Sequence, residues 1–154
     1  MIPHVLLTLA LLGLSLLLGA TVYESVVMAP NFERDIPSSI DLARRFLKRT
    51  PAHYFRVVAP LTQLVLLASV IACWKIPDVR WPTVAAFGAL VLVDVITYTF
   101  HYPRLAIMFK GPMEDPERLR RAAREWAAGN VVRAILILLA LLSVLHAIIE
   151  GLEH

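Results

Sequence analysis

Apolar residues fall in four long runs along the chain, parted by polar stretches. Residues 5–23 carry no charge, 57–74 form a second charge-free run, and 81–102 hold Asp94 as their single formal charge. From Ala134 to Ile149 the chain is again uncharged and rich in Leu, Ile and Ala. Each run approaches the roughly 20 residues that a helix rising about 1.5 Å per residue needs to cross a bilayer. The pattern predicts an all-α protein, an integral membrane four-helix bundle. Its expected spans are about 5–28, 55–75, 81–102 and 129–149, in a single domain over residues 1–151. The first run reads as a retained helix, because MIPHVLL lacks a positively charged start and no A-x-A-like cleavage site follows. Leu152, Glu153 and His154 resemble the start of a cloning-derived affinity tag and are set aside.

The polar stretches between the runs are strongly patterned. One holds Arg34, Arg44, Arg45, Lys48 and Arg49, with Arg56 at its exit. The other holds Arg104, Lys110, Arg118, Arg120, Arg121 and Arg124, with Arg133 just beyond. The short middle connection has Lys75 and Arg80. The positive-inside rule then predicts an inner or plasma membrane protein with both long connections cytoplasmic and both termini outside. In SSIDLARRFLKR, Ser38 or Ser39 is positioned as an N-cap, and Leu42, Phe46 and Leu47 lie among basic residues. In EDPERLRRAAREWAAGN, Asp115 is the expected cap and Pro116 the first helical residue. Two amphipathic cytoplasmic surface helices are expected there, the second running on into the fourth span, with their basic faces on anionic lipid headgroups.

Composition narrows the class. At 58% hydrophobic the chain exceeds an ordinary soluble domain. Its net charge is +3, and the basic residues crowd into the two long connections, which argues for lipid and against nucleic acid as the partner. The lone Cys73 reads as an apolar filler, and the apolar exterior permits a monomer, dimer or trimer. Gly13 and Gly19 read as places where helices approach closely, not as a phosphate loop.

Ionisable groups inside a span are costly unless they face the bundle interior or water, so each is a candidate for function. In the third run Asp94, Thr97, Tyr98 and His101 stand at i, i+3, i+4 and i+7, one stripe of a regular helix. In the second, His53, Arg56, Pro60 and Gln63 lie close to one face. The first offers Thr21, Glu24 and Met28. The fourth opens with REWAAGNVVR, which puts Trp126, Asn130 and Arg133 on one stripe and asks whether Arg133 is a surface anchor or part of a buried site. Matching stripes on four helices imply a polar cavity open to the cytoplasmic side. The plainer readings are buried ion pairs that fix packing, an aromatic belt formed by Tyr98, Tyr102, Trp81 and Trp126, and an interfacial His146. A metal is not expected, because the Glu-x-x-His pairs of di-iron bundles are absent.

YESVVMAPNF closing the first run, FHYPRLAIMF closing the third and REWAAGNVVR opening the fourth together resemble the anthrone oxygenase-like family of small four-helix membrane proteins. The resemblance runs from about Leu6 to Ala147 and includes Pro30 and Pro103 at corresponding helix ends. It implies an oxidoreductase acting on a lipophilic anthrone-, phenol- or quinone-like molecule, with molecular oxygen as co-substrate and no other cofactor. A base among Asp94, Glu24 and His101 would remove the proton, and Arg133 and Asn130 would stabilise the developing oxyanion. Trp126, Tyr98, His53 and Gln63 complete the expected binding set. Two other classes stay open. One is a small-molecule transporter or binding protein using Glu24 as small multidrug exporters use a membrane glutamate, although those have short loops. The other is a structural membrane partner without catalysis.

Overall fold

The computed structural model describes residues 2–48 and 50–152. Arg49 of the first basic stretch, and Glu153 and His154 of the tag-like end, lie outside the described residues. Five helices account for nearly all of the rest: α1 (Ile2–Glu33), α2 (Ser38–Phe46), α3 (Ala52–Ala72), α4 (Pro77–Lys110) and α5 (Pro116–Leu152). No strand occurs among the described residues. The chain thus has four helices long and apolar enough to span a membrane, α1, α3, α4 and α5. They pack in a ring, α1 against α3 and α5, and α4 against α3 and α5. Leu12, Leu16, Leu64, Ile71, Leu139 and many similar side chains face outward. That distribution suits a lipid solvent, since in water it would be an aggregation liability.

Three of the helices are longer than the expected spans. At 32, 34 and 37 residues, α1, α4 and α5 are about 48, 51 and 56 Å long. Their extra turns meet at one end of the bundle. Phe32, Met108, Leu119, Ala122, Ala123 and Trp126, with Ile36 from the turn before α2 and Ile40 from α2, make a second apolar core there. It is distinct from the main core of Leu7, Leu14, Leu66, Leu90, Ile137 and Val144 along the bundle. The basic segment from Pro116 is not a separate helix but the start of one unbroken α5. Asp115 caps it by accepting from the Arg118 N–H at 2.9 Å. Neither Ser38 nor Ser39 caps α2. The Ser39 hydroxyl instead donates to the Phe32 carbonyl at 2.6 Å, tying α2 to the end of α1.

Arg44 fastens α2 to the end of α4. Its guanidinium donates to the carbonyls of Met108 and Gly111, both at 2.8 Å, and reaches that of Ile107 at 3.5 Å. These carbonyls lie at or just past the C-terminal end of α4, where that of Ile107 already accepts from the Gly111 N–H, and a planar fork is suited to several at once. Arg44→Ala is expected to cost about 1–3 kcal/mol, and Arg44→Lys somewhat less. Unfolding in mixed micelles of mild detergent and dodecyl sulfate measures both.

Two widened turns interrupt the long helices. At Glu24–Met28 and at Thr97–His101 the backbone bonds skip five residues, Ala29 N–H to the Glu24 carbonyl and Tyr102 N–H to the Thr97 carbonyl. Each turn ends two residues before a proline, Pro30 and Pro103. A proline ring clashes with the carbonyl four residues back and cannot donate to it, and a π-type turn relieves both problems. The cost is one residue of helical register. Gly13 behaves as expected: a Cβ there would collide with the Thr62 side chain, so its absence lets α1 and α3 close up. Gly19 has open space beside it and makes no such contact.

Candidate functional site

The junction between the two apolar cores is polar. Asn130, His101, Arg133 and Glu24, from α5, α4, α5 and α1, are 0%, 1%, 4% and 5% exposed. The Arg133 guanidinium is at the centre. It donates to Asn130 Oδ1 at 3.2 Å, stands 3.7 Å from Glu24 Oε2, and lies 4.6 Å from the centre of the Phe55 ring on α3. It does not reach out to a membrane surface, so the question posed by REWAAGNVVR resolves in favour of a buried position. The α5 stripe is as the spacing predicts: Trp126, Asn130 and Arg133 all turn inward.

Helical register explains why the other stripes are rearranged. On α4 the regular helix ahead of the widened turn already buries Val79, Thr83, Ala86, Leu90 and Val93, and Thr97 and His101 continue that face, so Tyr98, one residue past Thr97, lies outside it and is 63% exposed. Tyr98 packs edge-on against Tyr102 at 5.2 Å. On α3 the expected polar face is one residue out of phase with the interior. Ala52, Phe55, Ala59, Thr62 and Leu66 are buried, and His53, Arg56 and Pro60 are exposed. His53 is therefore not part of the cluster. Its Nδ1 is 3.2 Å from the Thr50 carbonyl at the start of α3, a local contact. What α3 brings to Arg133 is the Phe55 ring, which nothing in the sequence singled out.

Asp94 is half-buried at the α3–α4 seam, where its carboxylate accepts from Gln63 Nε2 at 2.5 Å. It does not share one cavity with His101. A cavity of about 30 Å³ is lined by Asp94, Arg56, Pro60, Tyr98 and Arg133 among others. A neighbouring one of about 10 Å³ is lined by Glu24, His101, Trp126 and Leu105, again with Arg133. Phe55, Thr97, Tyr102 and Arg133 line both, so the single expected cavity is two small ones meeting at Arg133.

The chemistry of the cluster lies in what its members leave unused. Apart from the long Glu24–Arg133 contact, Glu24 Oε2, Asn130 Nδ2 and Arg133 Nε are buried without a hydrogen-bond partner in the protein, and the two His101 ring nitrogens meet no side chain and have only the Gly129 backbone beside them. Native interiors seldom leave such groups unpaired, because each costs about 1–3 kcal/mol. The five atoms include donors and acceptors and sit on three helices. His101 is pressed against the backbone of Gly129, where a Cβ would come within 2.7 Å of Nε2 and 2.9 Å of a Phe100 ring carbon. Glycine at 129 is thus what admits the imidazole to the junction. Trp126 closes the far side, its ring centre 6.4 Å from that of His101. Among the described residues no group of three or more His, Cys, Asp or Glu side chains is placed to hold a metal ion.

No family model, curated protein or solved structure matches this chain. The geometry of the junction therefore carries the functional argument.

Proposed function

We propose that this protein is a membrane-embedded, oxidoreductase-like catalyst acting on a lipophilic phenol-, anthrone- or quinone-like molecule at the Glu24–His101–Asn130–Arg133 junction. The observation that carries this reading is the set of five polar atoms, on four side chains at least 95% buried, that make no close hydrogen bond to another side chain. Donors on Arg133 and Asn130 suit a carbonyl or phenolate oxygen, and their fixed positions would stabilise charge developing there. Glu24 and His101 are the acceptors that can take the proton released. Phe55 and Trp126 supply apolar walls for a ring. Asp94 stands on the other side of Arg133 and is assigned to entry or orientation, with Gln63 and Tyr98.

For an anthrone the overall change balances with oxygen alone. The ring CH₂ loses two hydrogens, one oxygen atom enters as the new carbonyl, and the other leaves as water. The arginine distribution supports an orientation with the long connections on the cytoplasmic side and both termini outside. Leu42 and Phe46, exposed one turn apart on α2, support placing that helix on the inner membrane surface, and the arginines opening α5 suit anionic headgroups.

One observation favours a second reading. Cavities of about 30 and 10 Å³ hold little more than a water molecule each. A junction this closely packed also suits a structural lock between helices.

The test is a native mass spectrum of gently extracted protein, with and without 1,8-dihydroxyanthrone, followed by anthraquinone formation in nanodiscs. A retained aromatic mass and oxidation faster than in empty nanodiscs are expected. Glu24→Gln or His101→Phe should slow that oxidation by about 10²–10⁴-fold, whichever residue is the base. A bare mass and no acceleration would leave the structural lock.

A further inference from the structure

The four junction side chains are buried in the bundle, so any ligand must reach them between helices. The four neighbouring pairs in the ring are not equivalent: α3 and α4 pack against each other least extensively. Polar groups bridge the same seam near its outer edge. Gln63 donates to Asp94 across it, and the Arg56 guanidinium sits 5.7 Å from the centre of the Tyr102 ring. The larger small cavity runs inward here, from Arg56, Pro60 and the exposed Tyr98 to Arg133. A hydrogen-bonded carboxylate at the edge of an apolar surface is costly to place there for packing alone.

We propose that the α3–α4 seam is the entrance by which a lipophilic molecule leaves the bilayer and reaches Arg133. The Gln63–Asp94 pair is the polar threshold that the ligand's hydroxyl or carbonyl exchanges with on the way in. This rests on reading the junction as a ligand site, and it narrows the ligand to one that partitions into lipid and carries at least one hydrogen-bonding oxygen. Arg56 over Tyr102 is the second fastener of the same entrance. Opening needs only a separation of α3 from α4 near Gln63, because α1 and α5 hold the other three contacts of the ring.

The experiment follows entry without needing the natural ligand. In a Cys73→Ala background, Thr97→Cys puts a thiol on the wall common to both cavities. Its reaction in nanodiscs is timed with N-phenylmaleimide, which partitions into lipid, and with a charged methanethiosulfonate confined to water. The lipid-soluble reagent is expected to label and the charged one to lag far behind. Gln63→Ala removes a hydrogen bond to a charged group and should speed the lipid-phase reaction by about tenfold. Arg56→Ala, an exposed position that does not threaten the fold, should speed it in the same direction. Melting curves confirm that each variant is folded. Lipid-phase rates unchanged by both variants, equal rates for the charged reagent, or no labelling at all would each overturn the entrance. Seam-dependent labelling beside a bare native mass would retire the ligand reading and leave the opening standing. A retained ligand with seam-independent labelling would do the reverse.

Discussion

Arg133→Met is expected to destabilise the bundle by about 3–5 kcal/mol, the usual consequence of removing one partner from a buried pair. The guanidinium stands 3.7 Å from Glu24, donates to Asn130, and lies against Phe55. Without it, Glu24 keeps a buried carboxyl with nothing to answer it, and Asn130 Oδ1 loses its donor. Glu24→Gln combined with Arg133→Met should recover most of that loss, because neither remaining group then carries charge. The difference between the double variant and the sum of the singles is a coupling energy, read by reversible unfolding in mixed micelles. The same three variants separate the two functional readings. If the junction only locks helices together, the double variant should behave as wild type in every assay. If it handles a ligand, stability should return while binding of 1,8-dihydroxyanthrone does not. A double variant as unstable as Arg133→Met alone would show that Asn130 and Phe55, not Glu24, are the partners that matter.

Trp126→Ala should cost a similar amount, about 3–5 kcal/mol, for a different reason. Trp126 is buried where the extensions of α1, α4 and α5 meet, 5.6 Å from the Phe32 ring centre and 6.4 Å from that of His101. Its removal leaves a void between two rings that cannot close without moving whole helices. Trp126→Phe retains a ring against Phe32 and should lose much less. The informative comparison is between unfolding and His101. When the indole is gone, the imidazole loses one wall while still resting on Gly129, so its ring resonances should shift and broaden in the alanine variant and stay near wild type in the phenylalanine one. An alanine variant of unchanged stability would mean that the end core of Phe32, Met108 and Leu119 contributes little to holding the bundle together.

Some of the site was open to sequence reasoning and some was not. The α5 stripe was readable because that helix is regular from Pro116 to Leu152, so a spacing of 3.6 residues holds along its whole length. The α4 stripe failed at Tyr98 because the interior took the adjacent face of that helix, the one carrying Leu90, Val93, Thr97 and His101. The α3 stripe failed for a simpler reason. His53, Arg56, Pro60 and Gln63 do share a face, but the adjacent face carrying Phe55, Ala59 and Thr62 is the more apolar and smaller-residued one, and it took the interior. Phe55 gave no signal of its own, since nothing along the chain distinguishes a ring beneath an arginine from a ring in a core.

The amino-acid sequence by itself determined the four long apolar helices, though not how far α1 and α4 run past the apolar spans, and the stripe of Trp126, Asn130 and Arg133. These follow from composition and local periodicity, which are properties of each segment alone. Only the tertiary structure decided that Glu24 and His101 meet Arg133 while His53 and Tyr98 do not, and that Asp94 pairs with Gln63 at a seam. Those outcomes depend on the rotation of each helix about its own axis. That rotation is set by which face of each helix packs most closely against its neighbours, and no single segment contains that information.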